Sequence, residues 1–209
     1  MKRNLRRKYY DLFSPFYDTF VALHSGDRGG FLREQLAEAV GLREGETVLD
    51  ICTGTGSLLL NLQGKVGHQG RVVGVDFSHG MLKVAKEKSR HFKNVLLVEA
   101  DVASLPFKER AFDAVTCSHA FYELKGEAVG KTLREVRRVL KPGSPFLMME
   151  HEIPSNPLVR ALFFLRLFFM GSKRASQILK DEEGLFRRYF SKVQRVRTGQ
   201  SKIIICQDH

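Results

Sequence analysis

A glycine turn in the first third of the chain carries the strongest chemical signal in the sequence. Residues 48–51 have the character of a buried strand, and Cys-Thr-Gly-Thr-Gly follows at positions 52–56 before a helical pattern begins. Gly54 and Gly56 lack a Cβ, so the backbone can approach a ligand closely, and the N-terminus of the helix offers free N–H donors. The third glycine of the dinucleotide fingerprint would fall at Leu59, so a pyrophosphate ligand matches this loop poorly.

Three aspartates at the ends of successive predicted strands describe the ligand further. Asp50 would repel a diphosphate but can attract the ammonium of an amino-acid-bearing ligand. Asp76 is placed to accept both hydroxyls of a ribose. Asp101 can accept from an adenine amino group, while Phe77 and Val102 pack against the ring. Ammonium, ribose and adenine, met in this order along the chain, indicate S-adenosylmethionine as the cofactor.

The elements that must position these residues follow a regular alternation of strand and helix. This succession predicts a parallel sheet covered by helices on both faces, with the ligand at the carboxyl ends of the strands. A final pair of runs resembles a hairpin. The fold class is therefore α/β, a Rossmann-like seven-stranded, mostly parallel sheet with an antiparallel C-terminal hairpin. The predicted strands are 47–51, 71–75, 95–98, 112–116, 146–149, 193–197 and 202–206, and the predicted helices are 57–63, 78–91 (with Ser78 as its cap) and 127–140.

The sequence resembles the class I S-adenosylmethionine-dependent methyltransferases over nearly its whole length. Within them it is most similar to the ubiquinone and menaquinone biosynthesis methyltransferases. Cys52 stands where many class I enzymes have the first glycine. The matching stretches are 48–56, 73–78, 80–82, 100–107, 112–115 and 133–143. Besides the residues already named, the set expected to bind the cofactor includes Tyr17, Cys52, Thr53, Met81 and Ser118.

The resemblance also implies how the chain is organised into a lid and a domain. Residues 1–45 are expected to form an N-terminal helical lid, whose Tyr10 and Tyr17 can donate hydroxyls to the methionine end of the cofactor. Residues 46–209 are expected to form the methyltransferase domain, with a helical insertion at 152–190 that covers the substrate. The apolar face expected for the helix before residue 45 consists of Phe31, Leu32, Leu36, Ala39 and Val40.

Methyl transfer from a sulfonium is an in-line displacement, so the protein mainly orients the reactants and excludes water. An oxygen or carbon nucleophile also needs a base that removes a proton. His119, Tyr122 and His151 follow the predicted fourth and fifth strands and are the candidate catalytic residues. The alternative, that each histidine is only a hydrogen-bonded loop residue, stays open.

The distribution of charged and apolar residues indicates which molecules the protein contacts. The formal net charge is +11, and the basic excess lies at the two ends of the chain. Residues 158–170 are apolar on every side of a helix but too few to span a bilayer. We therefore expect a cytoplasmic enzyme with a hydrophobic small acceptor. Contact with an anionic membrane, a homodimer, and burial of this helix inside the domain stay open.

Two other functions remain as alternatives. The basic ends are compatible with an RNA methyltransferase, but the sequence shows neither an Asn-Pro-Pro-Tyr-type loop nor an appended RNA-binding domain, which argues against nucleic acid. A non-catalytic cofactor-binding or scaffold protein is the alternative of another class. Cys52, Cys117 and Cys206 lie far apart and form no Cys/His cluster, so no metal site is expected.

Overall fold

The computed structural model of the protein describes residues 3–24, 30–124, 126–152, 156–157, 160, 182–198 and 201–208, without the side chains of residues 3–5, 20–24 and 151. A short 3-10 turn covers Phe121–Glu123. The helices are α1 (Arg3–His24), α2 (Phe31–Val40), α3 (Ser57–Val66), α4 (His79–Ser89), α5 (Ala128–Val139) and α6 (Glu182–Arg187). The strands are β1 (Thr47–Ile51), β2 (Arg71–Asp76), β3 (Val95–Glu99), β4 (Ala114–Ser118), β5 (Phe146–His151), β6 (Lys192–Thr198) and β7 (Ser201–Gln207).

Within the described residues, the strands form one seven-stranded sheet in the order β3-β2-β1-β4-β5-β7-β6. The first five strands are parallel, whereas β7 runs antiparallel to both β5 and β6. The predicted fold class is thereby confirmed. The strand order reverses between β1 and β4, and in open α/β sheets a ligand binds in the crevice at this point, beyond the carboxyl ends of the strands.

Local signals explain where the helices around the sheet begin and end. Ser78 precedes α4 and accepts a hydrogen bond from the Met81 N–H at 3.2 Å, as predicted for a helix cap. α3 continues past residue 63, where it was expected to end, because its last turn buries Val66 against the sheet. The helix then stops at Gly67, whose φ of 66° is readily adopted by glycine.

Two apolar clusters cover the two faces of the sheet. On one face, α5 and α6 contribute Leu133, Val136 and Phe186 to a cluster with residues of the central strands. On the other face, Leu36 of α2 and Leu62 of α3 pack on the same strands. Because both faces are covered, the central strands are mostly apolar and do not alternate with polar residues. The buried Asp50 of β1 and Thr116 of β4 are polar exceptions.

The predicted N-terminal helices are present as α1 and α2, but the expectation for the buried face of α2 was partly wrong. Leu32, Leu36 and Val40 are buried as expected, together with Ala37. Phe31 and Ala39 are exposed instead. The buried stripe is centred between Leu36 and Ala37, so Ala39 falls beyond its edge and Phe31 on the opposite side of the helix.

Much of the predicted C-terminal insertion cannot be compared with the structure. The apolar run at 158–170 lies outside the described residues except for Arg160, and so does most of the range 152–190. In the described part of the chain, no helix is long and apolar enough to cross a membrane. The same part contains no group of three or more His, Cys, Asp or Glu side chains that could hold a metal ion.

A buried ion pair connects α6 to the sheet. Lys202 of β7 and Glu182 of α6 are 1% and 4% exposed, and Lys202 Nζ lies 2.5 Å from Glu182 Oε1. The other carboxylate oxygen of Glu182 accepts a hydrogen bond from the Tyr122 hydroxyl. Both charges are removed from water, so each depends on the other for compensation.

Substituting one partner of this pair tests that dependence. We expect Lys202→Met to lower the free energy of unfolding by about 3–5 kcal/mol, because it leaves the Glu182 carboxylate buried without its cation. The double variant Lys202→Met/Glu182→Gln should regain most of the loss. The measurement is urea denaturation followed by circular dichroism.

The matched control is Arg187→Met on the same helix. Arg187 pairs with Glu183 at 3.4 Å, and both side chains are largely exposed, so this variant should change stability by less than about 0.5 kcal/mol. Equal effects of the two single substitutions would contradict a special contribution of the buried pair.

Candidate functional site

A cavity of about 280 Å³ lies at the carboxyl ends of the central strands, beneath α1. Nine of the fifteen residues predicted for the site are in its wall: Tyr17, Cys52, Gly54, Asp76, Phe77, Met81, Asp101, Val102 and His119. Asp50, Thr53, Gly56, Ser118, Tyr122 and His151 are not in this wall. The walls are mostly apolar or aromatic, with a few polar groups among them, which is typical of a small-molecule site.

The glycine loop after β1 combines left-handed residues with different uses. Cys52 has a φ of 54° and Gly54 a φ of 55°, so Cys52 adopts the backbone conformation of a glycine position. A Cβ added at Gly54 would meet no protein atom within 4 Å, because this position faces the cavity. A Cβ at Gly56 would lie 2.8 Å from the Ala85 Cβ. Gly54 thus leaves room for a ligand, whereas Gly56 lets α4 pack closely.

Asp76 is buried at the end of β2 and faces the cavity. Its Oδ2 accepts the Gly54 N–H and its Oδ1 accepts the Ser78 N–H, both at 2.9 Å. Burial raises its pKa to about 6, although these backbone donors favour the ionised form. Each carboxylate oxygen can accept more than one hydrogen bond, so both remain able to accept the hydroxyls of a ribose.

Asp50 is buried beneath the loop. Its two oxygens accept the hydroxyls of Thr53 at 2.6 Å and Thr116 at 2.7 Å, which joins the loop to β4. Burial raises its pKa to about 7. The structure gives Asp50 and Thr53 this supporting position, and their direct contact with the cofactor stays a prediction.

The aromatic part of the cavity lies between the ends of β2 and β3. Phe77 and Val102 contribute apolar surface, and the Asp101 carboxylate accepts the Ala103 N–H at 3.0 Å. The Phe77 ring packs edge-to-face with Tyr10, and their centroids are 5.8 Å apart. A flat aromatic ligand can therefore be held on apolar surface beside a hydrogen-bond acceptor.

α1 closes the cavity from above through residues of its inner face. Arg6, Tyr10 and Tyr17 are in the cavity wall. Glu123 Oε2 accepts hydrogen bonds from Arg6, at 3.0 Å, and from the Tyr10 hydroxyl. Burial raises the pKa of Tyr17 to about 12, so its hydroxyl keeps its proton at neutral pH and can donate a hydrogen bond. The lid and the turn after β4 are thus joined by a charged contact.

Two carboxylates of α1 attach the lid to the loop and to α4. Asp11 accepts the Ser78 hydroxyl at 2.7 Å and the Gly80 N–H at 2.9 Å. Asp18 accepts the Thr55 hydroxyl at 2.6 Å and pairs with Lys88. A Cβ at Gly80 would lie 2.6 Å from the Asp11 Cα, so the helices can approach this closely only at a glycine.

The candidate bases are placed differently from one another. His119 is in the cavity wall with a left-handed φ of 53°, and its backbone N–H donates to the Met149 carbonyl. The Tyr122 hydroxyl donates to Glu182, and burial raises the pKa of this phenol. His151 ends β5, and its side chain lies outside the described part of the structure.

The sequence interpretation missed several residues that take part in the site. Arg6 belongs to the basic end of the chain, and nothing in the sequence indicates that Arg6 or Glu123 lies in the site. Arg33 of α2 lies close enough that its charge offsets part of the rise that burial causes in the pKa values of Tyr17 and Asp50. No local motif marks these residues, because their positions depend on how α1 and α2 pack over the sheet.

The residues present fit S-adenosylmethionine. The open space at Gly54 leaves room for the amino-acid portion, and the buried Asp76 carboxylate matches a ribose. The apolar surface of Phe77 and Val102 beside Asp101 matches an adenine. These groups line a single cavity.

The chain is similar to known methyltransferases. A sequence model of the ubiE/COQ5 methyltransferase family matches residues 5–199. The demethylmenaquinone methyltransferase of Staphylococcus aureus (strain Newman) is 34% identical over 169 residues, which cover 81% of this chain and 69% of that protein.

Solved structures show the same fold at lower identity. A SAM dependent methyltransferase from Aquifex aeolicus has a TM-score of 0.62 and 22% identity, covering 87% of this chain and 94% of its own. A protein from Pyrococcus horikoshii has a TM-score of 0.68 and 21% identity, covering 97% and 99%.

Asp76 should control the affinity for S-adenosylmethionine in a pH-dependent way. We expect Asp76→Asn to weaken binding by roughly 10- to 100-fold at neutral pH, because it removes a charge-assisted contact. In the wild type, affinity should fall as the pH decreases through about 6, where the carboxylate becomes protonated. Isothermal titration across this pH range measures both effects. A flat wild-type profile, with unchanged affinity in the variant, would exclude a ribose contact.

Gly54→Ala should weaken cofactor binding without unfolding the domain. The added methyl would occupy the cavity, and overpacking of this kind typically corresponds to roughly a 10- to 100-fold loss. The left-handed φ adds a stability cost of about 1–2 kcal/mol. Gly41→Ala is the matched control, because Gly41 also has a positive φ and open space but lies outside the cavity wall. Thermal unfolding and titration should show equal stability losses, with weaker cofactor binding only at Gly54.

Proposed function

The chain belongs to the ubiE/COQ5 methyltransferase family, and we propose that its methyl acceptor is a hydrophobic small molecule, a prenylated quinol or lipid-like compound. The enzyme is an S-adenosylmethionine-dependent methyltransferase. The name of the Staphylococcus aureus relative supports an acceptor related to demethylmenaquinone. The observation that carries the proposal is the position of α1, because this helix lines a small cavity with the aromatic side chains of Tyr10 and Tyr17.

The charges of the lid argue against the RNA alternative. Arg6 and Arg7 belong to the basic N-terminus, but they pair with Glu123 and Glu99 respectively. Basic residues that are already neutralised by carboxylates contribute little attraction for phosphates. A cavity lined by the predicted cofactor-binding residues, in turn, favours catalysis over a purely scaffolding function.

The roles of the residues in the transfer follow from their places. S-adenosylmethionine, when bound, supplies a methyl group on a sulfonium. Asp76 would orient the ribose, and Phe77 with Val102 would fix the adenine, so that the methyl direction is set by contacts far from it. Tyr10 and Tyr17 of the lid would exclude water from the reacting atoms.

His119 is the favoured base among the candidates. It is in the cavity wall, and an imidazole can accept a proton near neutral pH. Removal of a hydroxyl proton makes a quinol a much better nucleophile. Tyr122 is less suited, because burial raises its pKa and its hydroxyl is bound to Glu182. Three predicted residues outside the cavity wall would position the backbone around the cofactor: Thr53, Gly56 and Ser118.

The division of the chain into lid and domain, and the location of the enzyme, belong to the same proposal. Residues 1–45 would form the lid, 46–209 the methyltransferase domain, and 152–190 a segment that covers the acceptor. A cytoplasmic position at the surface of a membrane would give the enzyme access to a lipid-like acceptor. A homodimer through the apolar run at 158–170 is the competing use of that segment.

The test is transfer of a radiolabelled methyl group by the purified full-length protein. Reduced demethylmenaquinone in mild detergent and total RNA are offered in separate reactions, and label is counted in the organic and nucleic-acid fractions. We expect label in the organic fraction only. His119→Ala should slow this transfer by roughly 100-fold or more while keeping most of the cofactor affinity.

The possible results separate the alternatives. Label in RNA alone would favour the nucleic-acid enzyme, and cofactor binding without any transfer would favour a scaffold. Unchanged turnover of His119→Ala would remove the base assignment but not the acceptor.

A further inference from the structure

The outer face of α1 is unusually apolar for a surface helix. Tyr9, Leu12 and Phe16 are 54%, 81% and 67% exposed. Positions three and four apart lie on the same side of a helix, so these side chains form one stripe. We call this stripe the outer face of α1. Of the six large apolar side chains that are exposed in the described part of the chain, these three are the only group on one element.

Side chains on the inner face of α1 hold this helix on the domain. Tyr10 and Tyr17 enter the cavity wall, and Asp11 and Asp18 bond to α4 and the glycine loop. The outer face is therefore not needed for packing of the lid. Large apolar side chains grouped in this way usually mark a contact with another apolar surface.

The charges around this stripe indicate what kind of surface it contacts. α1 contains two acidic residues, Asp11 and Asp18, and both are turned inward and bonded. Arg6 and Arg7 are paired with Glu123 and Glu99, so the charge beside the stripe comes from Lys8, which is exposed. An apolar stripe with an exposed lysine at its side, on a helix whose two carboxylates are both bonded elsewhere, matches an anionic lipid surface.

We propose that the outer face of α1 docks on the surface of an anionic lipid bilayer. In this arrangement the helix lies in the plane of the headgroups, with Leu12 and Phe16 inserted and Lys8 near the lipid phosphates. Because α1 is also the lid, docking places the cavity next to the membrane. The purpose of this docking rests on the proposed function, since a lipid-like acceptor would enter the cavity from the bilayer.

The experiment is co-sedimentation of the full-length protein with two kinds of vesicles. One contains phosphatidylcholine alone, and the other also contains about one third phosphatidylglycerol. We expect binding to the anionic vesicles, weakened by roughly tenfold or more in Leu12→Ser/Phe16→Ser, which removes the inserted side chains. Lys8→Glu should weaken binding about fivefold or more, and this difference should shrink at high salt.

The matched control is Leu96→Ser/Val196→Ser. These two side chains are each 45% exposed, on β3 and β6 at opposite edges of the sheet. The control variant should bind vesicles like the wild type. Circular dichroism and thermal unfolding establish that both double variants remain folded.

Three results would overturn the proposal. They are failure of the wild type to bind either vesicle, equal binding by Leu12→Ser/Phe16→Ser, and self-association that this variant abolishes. The last result would identify a second copy of the chain as the occupant of the outer face. Analytical ultracentrifugation without lipid provides that measurement.

A methyl-transfer assay distinguishes failure of docking from failure of the proposed function. The Leu12→Ser/Phe16→Ser variant should keep its turnover with demethylmenaquinol in detergent and lose turnover with the same acceptor in anionic vesicles. Absence of transfer by all proteins in detergent would reject the acceptor, while vesicle binding would still decide the docking. Equal turnover of variant and wild type in vesicles would contradict docking as a route for the acceptor.

Discussion

One buried carboxylate connects the parts of the site. Asp76 ends β2 and accepts N–H groups from Gly54, in the loop after β1, and from Ser78, before α4. These two bonds fix the loop relative to the neighbouring helix, and they hold the acid at the cavity wall. Removing the acid would leave two backbone donors without acceptors in a place that water reaches poorly. In its left-handed conformation, Gly54 presents its N–H to Asp76 and leaves the cavity open.

The lid depends on the same residues. The Ser78 N–H binds Asp76, its hydroxyl donates to Asp11 of α1, and its oxygen caps α4 by accepting the Met81 N–H. The ribose site, the start of α4 and the position of the lid are therefore joined through one serine. Gly80 allows this arrangement by leaving room for the backbone of α1. Asp76 and α1 are therefore connected by two hydrogen bonds, from the Ser78 N–H to Asp76 and from the Ser78 hydroxyl to Asp11.

The sequence predicted the sheet and most of the cavity wall because both depend on local patterns. Strand ends, glycines and acids at fixed spacing place Gly54, Asp76 and Asp101 with little reference to the rest of the chain. The burial of α2 and the roles of Arg6 and Glu123 depend on how helices rotate and pack, and no periodicity specifies that. Asp50 illustrates the limit, since the motif located it but could not show that Thr53 and Thr116 bind both of its oxygens.

Three carboxyl groups near the carboxyl ends of the strands have pKa values raised mainly by burial: Asp76 to about 6, Asp50 to about 7 and Glu150 to about 8. A carboxyl whose pKa is higher in the folded than in the unfolded protein holds a proton that unfolding would release. Its favourable contribution is complete below the unfolded pKa and is lost as the pH rises through about 6 to 8. At neutral pH Asp76 is therefore mostly ionised and its burial costs stability, whereas Glu150 still holds its proton. Of the three, Asp76 lies in the cavity wall. A ligand whose hydroxyls donate to this carboxylate favours its ionised form, so binding would offset the cost of burying that charge.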